Sequence, residues 1–456
     1  MTPGRDAGAR APHSKHRALL AAIVTLIVAI SAAIFATVSR DDSSEMRASG
    51  ADGSGRASRN DAAPASTGAW VGSWSASPAA AEPGTETTGM AGRSVRNVVH
   101  TSVGGTSVRI TLSNLYGQSP LTVTHASVAL AAGPETAAAV AGTMRRLTFR
   151  GSPRVIIPAG GQVMSDAARL AVPFGSDVLV TTFSPTLSGP VTYHPYAQQT
   201  SYLADGDRTV DATAAAYTAE TPYWRYLTAL DVLSHEAKGT VVAFGDSITD
   251  GFGSEPNANH RWPDVLARRL HEAAEAGRGT PRYGVVNQGI SGNRILTGRT
   301  GRPADNPSGL SRFERDVLER TNAKAVVIVL GVNDILHSPE LADRESIVDG
   351  LRALVDQAHA KGLKAVGATI MPFGGYRGYT DAREAMRQEV NEEIRSGGVF
   401  DAVVDFDKAL RDTYDPLRLR SDYDSGDHLH PSDKGYARMG EVLDLDLLKG
   451  SAPVEA

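Results

Sequence analysis

Hydrophobic positions follow three successive patterns along the chain. From Ala18 to Val38 no residue is charged and the apolar side chains leave no polar face. At about 1.5 Å per residue this run spans about 30 Å, the thickness of a bilayer core. Between residues 69 and 237 the pattern is short alternation. Val108–Leu112, Leu121–Thr124, Ser127–Leu130, Val155–Pro158 and Val178–Phe183 read as strands separated by turn-rich links such as Asn114–Pro120. From Gly239 the pattern changes to apolar runs separated by helical spacing. Thr240–Phe244, Val285–Asn287, Ala325–Leu330, Lys364–Ile370 and Val403–Val404 are five expected strands. Trp262/Val265/Leu266/Leu270, Leu310/Phe313/Val317/Leu318, Ile347/Leu351/Leu354, Met386/Val390/Ile394 and Tyr436/Met439/Leu443 mark helix faces between and after them. Buried strands alternating with helices predict an α/β fold with a doubly wound parallel sheet, preceded by an all-β sandwich or jelly roll.

The division expected is a basic cytoplasmic stretch over 1–17, a transmembrane signal anchor or signal peptide over 18–38, a disordered linker over 39–68, a β-rich domain over 69–237 and an α/β domain over 238–449. Arg5, Arg10, Lys15 and Arg17 precede the apolar run, and Asp41, Asp42 and Glu45 follow it. That asymmetry places the N-terminus in the cytoplasm and the remainder outside, on the membrane or secreted. The run exceeds a cleaved h-region of about 7–15 residues and no clean Ala-x-Ala ends it, which favours an uncleaved anchor. Residues 40–68 are mainly Ser, Gly, Ala and Asp, too poor in large apolar groups to offset their ordering entropy.

Composition narrows the chemistry. A net charge of −5 excludes the strong basic excess of a nucleic-acid binder, and the absence of cysteine excludes disulfides, thiolate metal sites and a Cys nucleophile. Ligands of doubly wound sheets lie beyond the carboxyl ends of the strands, so the informative residues are those that follow each strand. After the first comes Gly245-Asp246-Ser247-Ile248-Thr249-Asp250-Gly251. After the second comes Gln288-Gly289-Ile290-Ser291-Gly292-Asn293-Arg294, and after the third Gly331-Val332-Asn333-Asp334. Before the last helix stands Asp427-His428-Leu429-His430-Pro431.

These residues permit acyl transfer. A serine hydroxyl needs a base to become a nucleophile, and His430 can accept the Ser247 proton while Asp427 holds its other ring nitrogen. The Ser247 and Gly289 N–H groups and the Asn333 side-chain amide can converge on the oxygen that becomes negative when an ester carbonyl is attacked. No cofactor is called for. A metal reading, with His428 and His430 as an H-x-H pair beside Asp427, lacks further ligands announced nearby. Asp246, Asp250 and Asp334 read as hydrogen-bond acceptors in loops, and His428 as a structural or rim residue. No Gly-x-Gly-x-x-Gly signals a dinucleotide.

The four segments, in this order, resemble the blocks of the SGNH hydrolase superfamily, the GDSL esterases and lipases, over about residues 239–447. The chain looks like a bacterial secreted subgroup with a β-rich region before the hydrolase core. The resemblance implies a serine ester hydrolase with Ser247 as nucleophile, His430 as base, Asp427 as its orienter, and Ser247, Gly289 and Asn333 as the oxyanion hole. It implies a small-molecule, polysaccharide or lipid ester as substrate. The rival readings are a glycan-binding surface protein without catalysis, a metal-dependent phosphoesterase on Asp246, Asp427 and His430, and an acyltransferase that excludes water. In the β-rich half, Trp70, Trp74, Tyr193, His194, Tyr196, Tyr202, Tyr223 and Trp224 are candidates for gripping a sugar, set against plain core packing. Phe373–Tyr379 reads as a mobile aromatic rim.

Overall fold

The computed structural model describes residues 68–298, 306–337 and 342–449. The expected anchor at 18–38 and nearly all of the linker lie outside the described residues. Among the described residues no helix is long and apolar enough to cross a membrane.

The first half is built from antiparallel strands. One sheet runs in the order Ala69–Ser75, Leu227–Ser234, Gly105–Ser113, Ala168–Val172, with Gln162–Met164 also pairing on Gly105–Ser113. A second runs in the order Ala219–Thr221, Ser201–Asp205, Arg93–His100, Asp177–Ser184, His125–Leu130, Arg145–Arg146. Alternation decides their packing. Val108, Ile110 and Leu112 of the first sheet share a core with Val95, Val99, Val128, Val178 and Val180 of the second. The intervening Val98, Leu179 and Tyr202 face the other way and are covered by Ala137 and Tyr217. Both faces of the central strands of the second sheet, Arg93–His100 and Asp177–Ser184, are therefore largely buried.

Among the described residues the second half contains five parallel strands: β1 (Gly239–Gly245), β2 (Tyr283–Gly289), β3 (Ala323–Val329), β4 (Lys364–Ala368) and β5 (Ala402–Val404), in the order β2-β1-β3-β4-β5. Val241 to Phe244 are all fully buried, so β1 is covered on both faces, as the sequence pattern requires. The expected helix around Leu310–Leu318 is an α-turn, Gly309–Phe313, running into a π-turn, Glu314–Leu318. The wider turn keeps Phe313 and Val317 in the core together with the charged Arg312 and Asp316.

The two halves abut directly. Gly72, in the middle of Ala69–Ser75, donates its N–H to Thr240 Oγ1 in β1 (2.9 Å). A side chain at Gly284 of β2 would collide with the Gly72 carbonyl. The Trp70–Trp74 segment thus belongs to the antiparallel sheet and also packs on the parallel one.

Candidate active site

The order β2-β1-β3 opens a crevice at the carboxyl ends of these strands, where the topology reverses. β1 ends in Gly245. A Cβ there would strike Thr249 and the Val329 carbonyl, so only glycine lets the chain turn at once into the short helix Ser247–Asp250. Asp246 caps that helix, its Oδ1 accepting from Ile248 N–H (3.0 Å), and Gly251 closes it at φ +97°. Ser247 is the first helical residue, so its N–H has no intrahelical acceptor.

The α-helix Asp433–Val442 is capped by Ser432 and anchored by Tyr436, whose OH donates to the Phe252 carbonyl (2.7 Å). This docks the loop before it against the Ser247 turn. Ser247 Oγ lies 2.8 Å from His430 Nε2, and His430 Nδ1 lies 2.6 Å from Asp427 Oδ2. Asp427 Oδ1 accepts the N–H groups of Leu429 (3.0 Å) and His430 (2.9 Å). Burial alone would raise the Asp427 carboxyl. The His430 side chain and these backbone donors outweigh it and hold Asp427 well below the usual carboxylate range. Asp427 therefore stays ionised, fixing the His430 tautomer that leaves Nε2 free to accept the Ser247 proton.

His428 has a separate partner. It sits at φ +66°, and its Nδ1 pairs with Asp424 Oδ2 at 2.6 Å. The two histidines of the loop are thus committed to different carboxylates rather than converging on one point.

Asn333 follows β3, is 4% exposed, and donates from Nδ2 to Asp246 Oδ2 (3.2 Å). Gly289 departs from expectation. It is the last residue of β2, its N–H is taken by Asn287 Oδ1 (2.8 Å), and a Cβ on it would strike the Asp250 backbone. Glycine is needed there for close approach, and its amide is already spent. Three residues on, Gly292 turns at φ +77° within a tight turn closed by Asn293 N–H on the Ile290 carbonyl (3.0 Å). Among the described residues no acceptor takes the Gly292 N–H.

Asp246 is a carboxyl buried against its charge. Burial pushes its carboxyl up to about 7, against the Ile248 N–H bond and the attraction of His430, which favour the ionised form. The fold binds this proton more tightly than the unfolded chain does. Its contribution to stability is therefore complete below about pH 4 and lost as pH rises through about 7. Asp246→Asn should raise Tm by roughly 2–6 °C at pH 8 and by much less at pH 4.5, read by thermal melts at both pH values. Asn333 would then face an amide donor and must turn its own amide over, so kcat should fall even as Tm rises.

The contacts by which three groups hold the strand ends together escaped the sequence reading, although His194 and Gln288 were noted there for other reasons. Arg312 is fully buried over the Phe244 ring. It donates to the Gly245 carbonyl (2.8 Å), the Gln288 carbonyl (2.8 Å), Asn293 Oδ1 (2.9 Å), Ser77 Oγ (3.1 Å) and Asp316 (2.9 Å). Burial pulls its guanidinium down to about 10 despite Asp316. Gln288 reaches back to Ser75 Oγ (2.5 Å) and Ser77 Oγ. His194 pairs with Asp250. The only sequence signal was polar residues inside otherwise apolar patterns. Of the eight aromatic candidates in the β-rich half, Trp74, His194, Tyr202 and Trp224 are buried, whereas Tyr196 is 43% exposed. Tyr196 meets Phe252 edge-on, and Phe252 lies 4.5 Å from the His430 ring. The expected aromatic rim at 373–379 is otherwise arranged: Phe373 is wholly in the core, and Tyr376 and Tyr379 are half-buried against it.

Residues 243–438 match the GDSL-like Lipase/Acylhydrolase family. That stretch belongs to the SGNH hydrolases, and the protein is a serine ester hydrolase. Similar solved structures include a GDSL-like lipase from Bacteroides thetaiotaomicron (21% identity, 46% of this chain and 87% of that one, TM-score 0.33). A carbohydrate acetylesterase family member from Sinorhizobium meliloti is also similar (17% identity, 45% and 94%, TM-score 0.35). So is the aryl esterase of M. smegmatis (17% identity, 45% and 95%, TM-score 0.35). No curated protein sequence matches the chain.

Proposed function

We propose that the protein cleaves carboxylic esters of carbohydrates in two acyl-transfer steps through Ser247. The observation that carries this reading is the unbroken hydrogen-bonded chain from Ser247 Oγ through His430 to Asp427, at 2.8 and 2.6 Å. Ser247 Oγ attacks the ester carbonyl as His430 Nε2 takes its proton. Asp427 stabilises the resulting imidazolium. His430 then gives that proton to the departing alcohol, leaving an acyl-Ser247 ester, and the sequence runs again with water as nucleophile. The negative oxygen is held by the Ser247 N–H, the Asn333 amide and, in place of Gly289, the Gly292 N–H. Each such donor is worth about 10²–10³ in rate. None of these steps calls for a metal or organic cofactor.

The carbohydrate carrier is supported by the exposed Tyr196–Phe252 pair beside His430, because a flat aromatic edge at the rim of a polar site suits the apolar face of a sugar ring. Tyr196→Ala is expected to raise KM for an acetylated oligosaccharide about 5- to 20-fold while leaving hydrolysis of a small aryl acetate within about twofold. Steady-state kinetics on both substrates checks this, and an equal effect on the two would remove the argument for a sugar. The apolar run at 18–38, with bases before it and acids after, supports a catalytic half that works outside the cytoplasm, tethered to the membrane.

A further inference from the structure

His194 lies in the strand Thr192–His194 of the β-rich half, 4% exposed, with the Trp224 ring beside it. Its Nδ1 is 2.8 Å from the Ser77 carbonyl, which can only accept, so Nδ1 carries a proton. Its Nε2 is 2.8 Å from Asp250 Oδ1. The other Asp250 oxygen accepts both the N–H (3.0 Å) and the hydroxyl (2.7 Å) of Ser291. Asp250 is the last residue of the helix that begins at Ser247, and Ser291 stands in the turn that carries Gly292. One carboxylate therefore ties the nucleophile's helix to that turn, and one imidazole from the other half of the chain fixes the carboxylate.

We propose that His194 is a positioning residue for ester hydrolysis, acting through Asp250 and Ser291 to hold the Ile290–Asn293 turn at its working distance from Ser247. The inference rests on the assignment of Ser247 as nucleophile. On this view the β-rich half is part of the catalytic scaffold rather than an attached binding module.

Two further observations favour the role. A buried imidazole–carboxylate pair is a poor source of net stability, since apolar side chains of the same volume pack as well without the cost of desolvating charge. Here burial opposes the protonated imidazole, but the attraction of Asp250 and the hydrogen bond to it outweigh that and raise the His194 pKa. The turn is clamped from its far side too: Asn306 Nδ2 donates to the Ser291 carbonyl (3.0 Å), and Asn306 N–H donates to the Ala79 carbonyl of the β-rich half (2.9 Å). Donors that stabilise a transition state act only when held in place beforehand, so small displacements of this turn lower kcat rather than substrate binding.

The test compares the full-length chain in mild detergent with His194→Gln, Ser291→Ala and their double variant, by steady-state kinetics on a soluble aryl acetate, with Ser247→Ala as control. His194→Gln should lower kcat about 10- to 100-fold and Ser291→Ala about tenfold, each with KM within about threefold. Because both act through Asp250, the double variant should be within about twofold of the slower single. Losses that multiply, or a Ser291→Ala enzyme with the parent kcat, would overturn the relay. Should His194→Gln not fold, Ser291→Ala decides alone: a lowered kcat at unchanged KM supports the relay and an unchanged kcat overturns it. Turnover surviving in Ser247→Ala would overturn the nucleophile assignment and the relay with it, whereas an inactive Ser247→Ala beside a fully active Ser291→Ala would overturn the relay alone.

Discussion

Ser247→Ala is expected to lower kcat/KM for an aryl ester by about 10⁴–10⁶-fold while leaving the fold intact. The size follows from what remains. The Ser247 N–H, the Asn333 amide and the Gly292 N–H would still stabilise charge on a bound carbonyl, but no oxygen would stand 2.8 Å from His430 Nε2 to attack it. The substitution removes one hydroxyl from a residue 7% exposed and leaves the Asp246 cap on Ile248 untouched, so Tm should move by no more than about 2 °C. Initial rates with matched thermal melts check both halves. A large fall in Tm together with the loss of rate would point to damage to the scaffold instead.

His430→Ala should be nearly as severe, about 10³–10⁶-fold in kcat, whereas His428→Ala should cost less than about tenfold. A single residue, Leu429, separates these two histidines, yet their surroundings differ. His430 points into the crevice with a side chain 12% exposed, bridging Ser247 and Asp427. His428 has a side chain 43% exposed and is held by Asp424, against the turn at Gly375. The difference should persist across pH. Only the variant lacking His430 has no acceptor for the Ser247 proton. Kinetics of the two variants over pH 6–9 tests this, and equal losses would contradict the division of roles.

How far the sequence could be read depended on whether the signal was local. The five parallel strands were legible because each is an apolar run bounded by turn residues, and the site segments because they stand where β1, β2 and β3 end. The Asp427–His430 pairing is local as well, since three residues of separation put both in one loop. The difference between the two glycines of the second block was not legible. Gly289 and Gly292 are alike in a string of letters, and only the Asn287 side chain closing on the Gly289 N–H distinguishes them. Arg312 and His194 were hidden for a different reason. Each is a polar residue in an apolar context whose partners lie far away in the chain: Arg312 reaches Ser77 and Gly245, and His194 reaches Asp250. Nothing local announces a contact made across two halves with different periodicity. The aromatic segment 373–379 misled because composition does not reveal burial, and Phe373 lies in the core.

Whether His430 makes Ser247 nucleophilic is decided by reacting the full-length chain with a fluorophosphonate and mapping the modified peptide. A mechanism of this kind predicts one phosphonyl group per chain, located on Ser247, formed in step with loss of esterase activity, and absent in His430→Ala. Stoichiometric inactivation with the label on another residue, or rapid labelling of Ser247 in the His430→Ala variant, would contradict it.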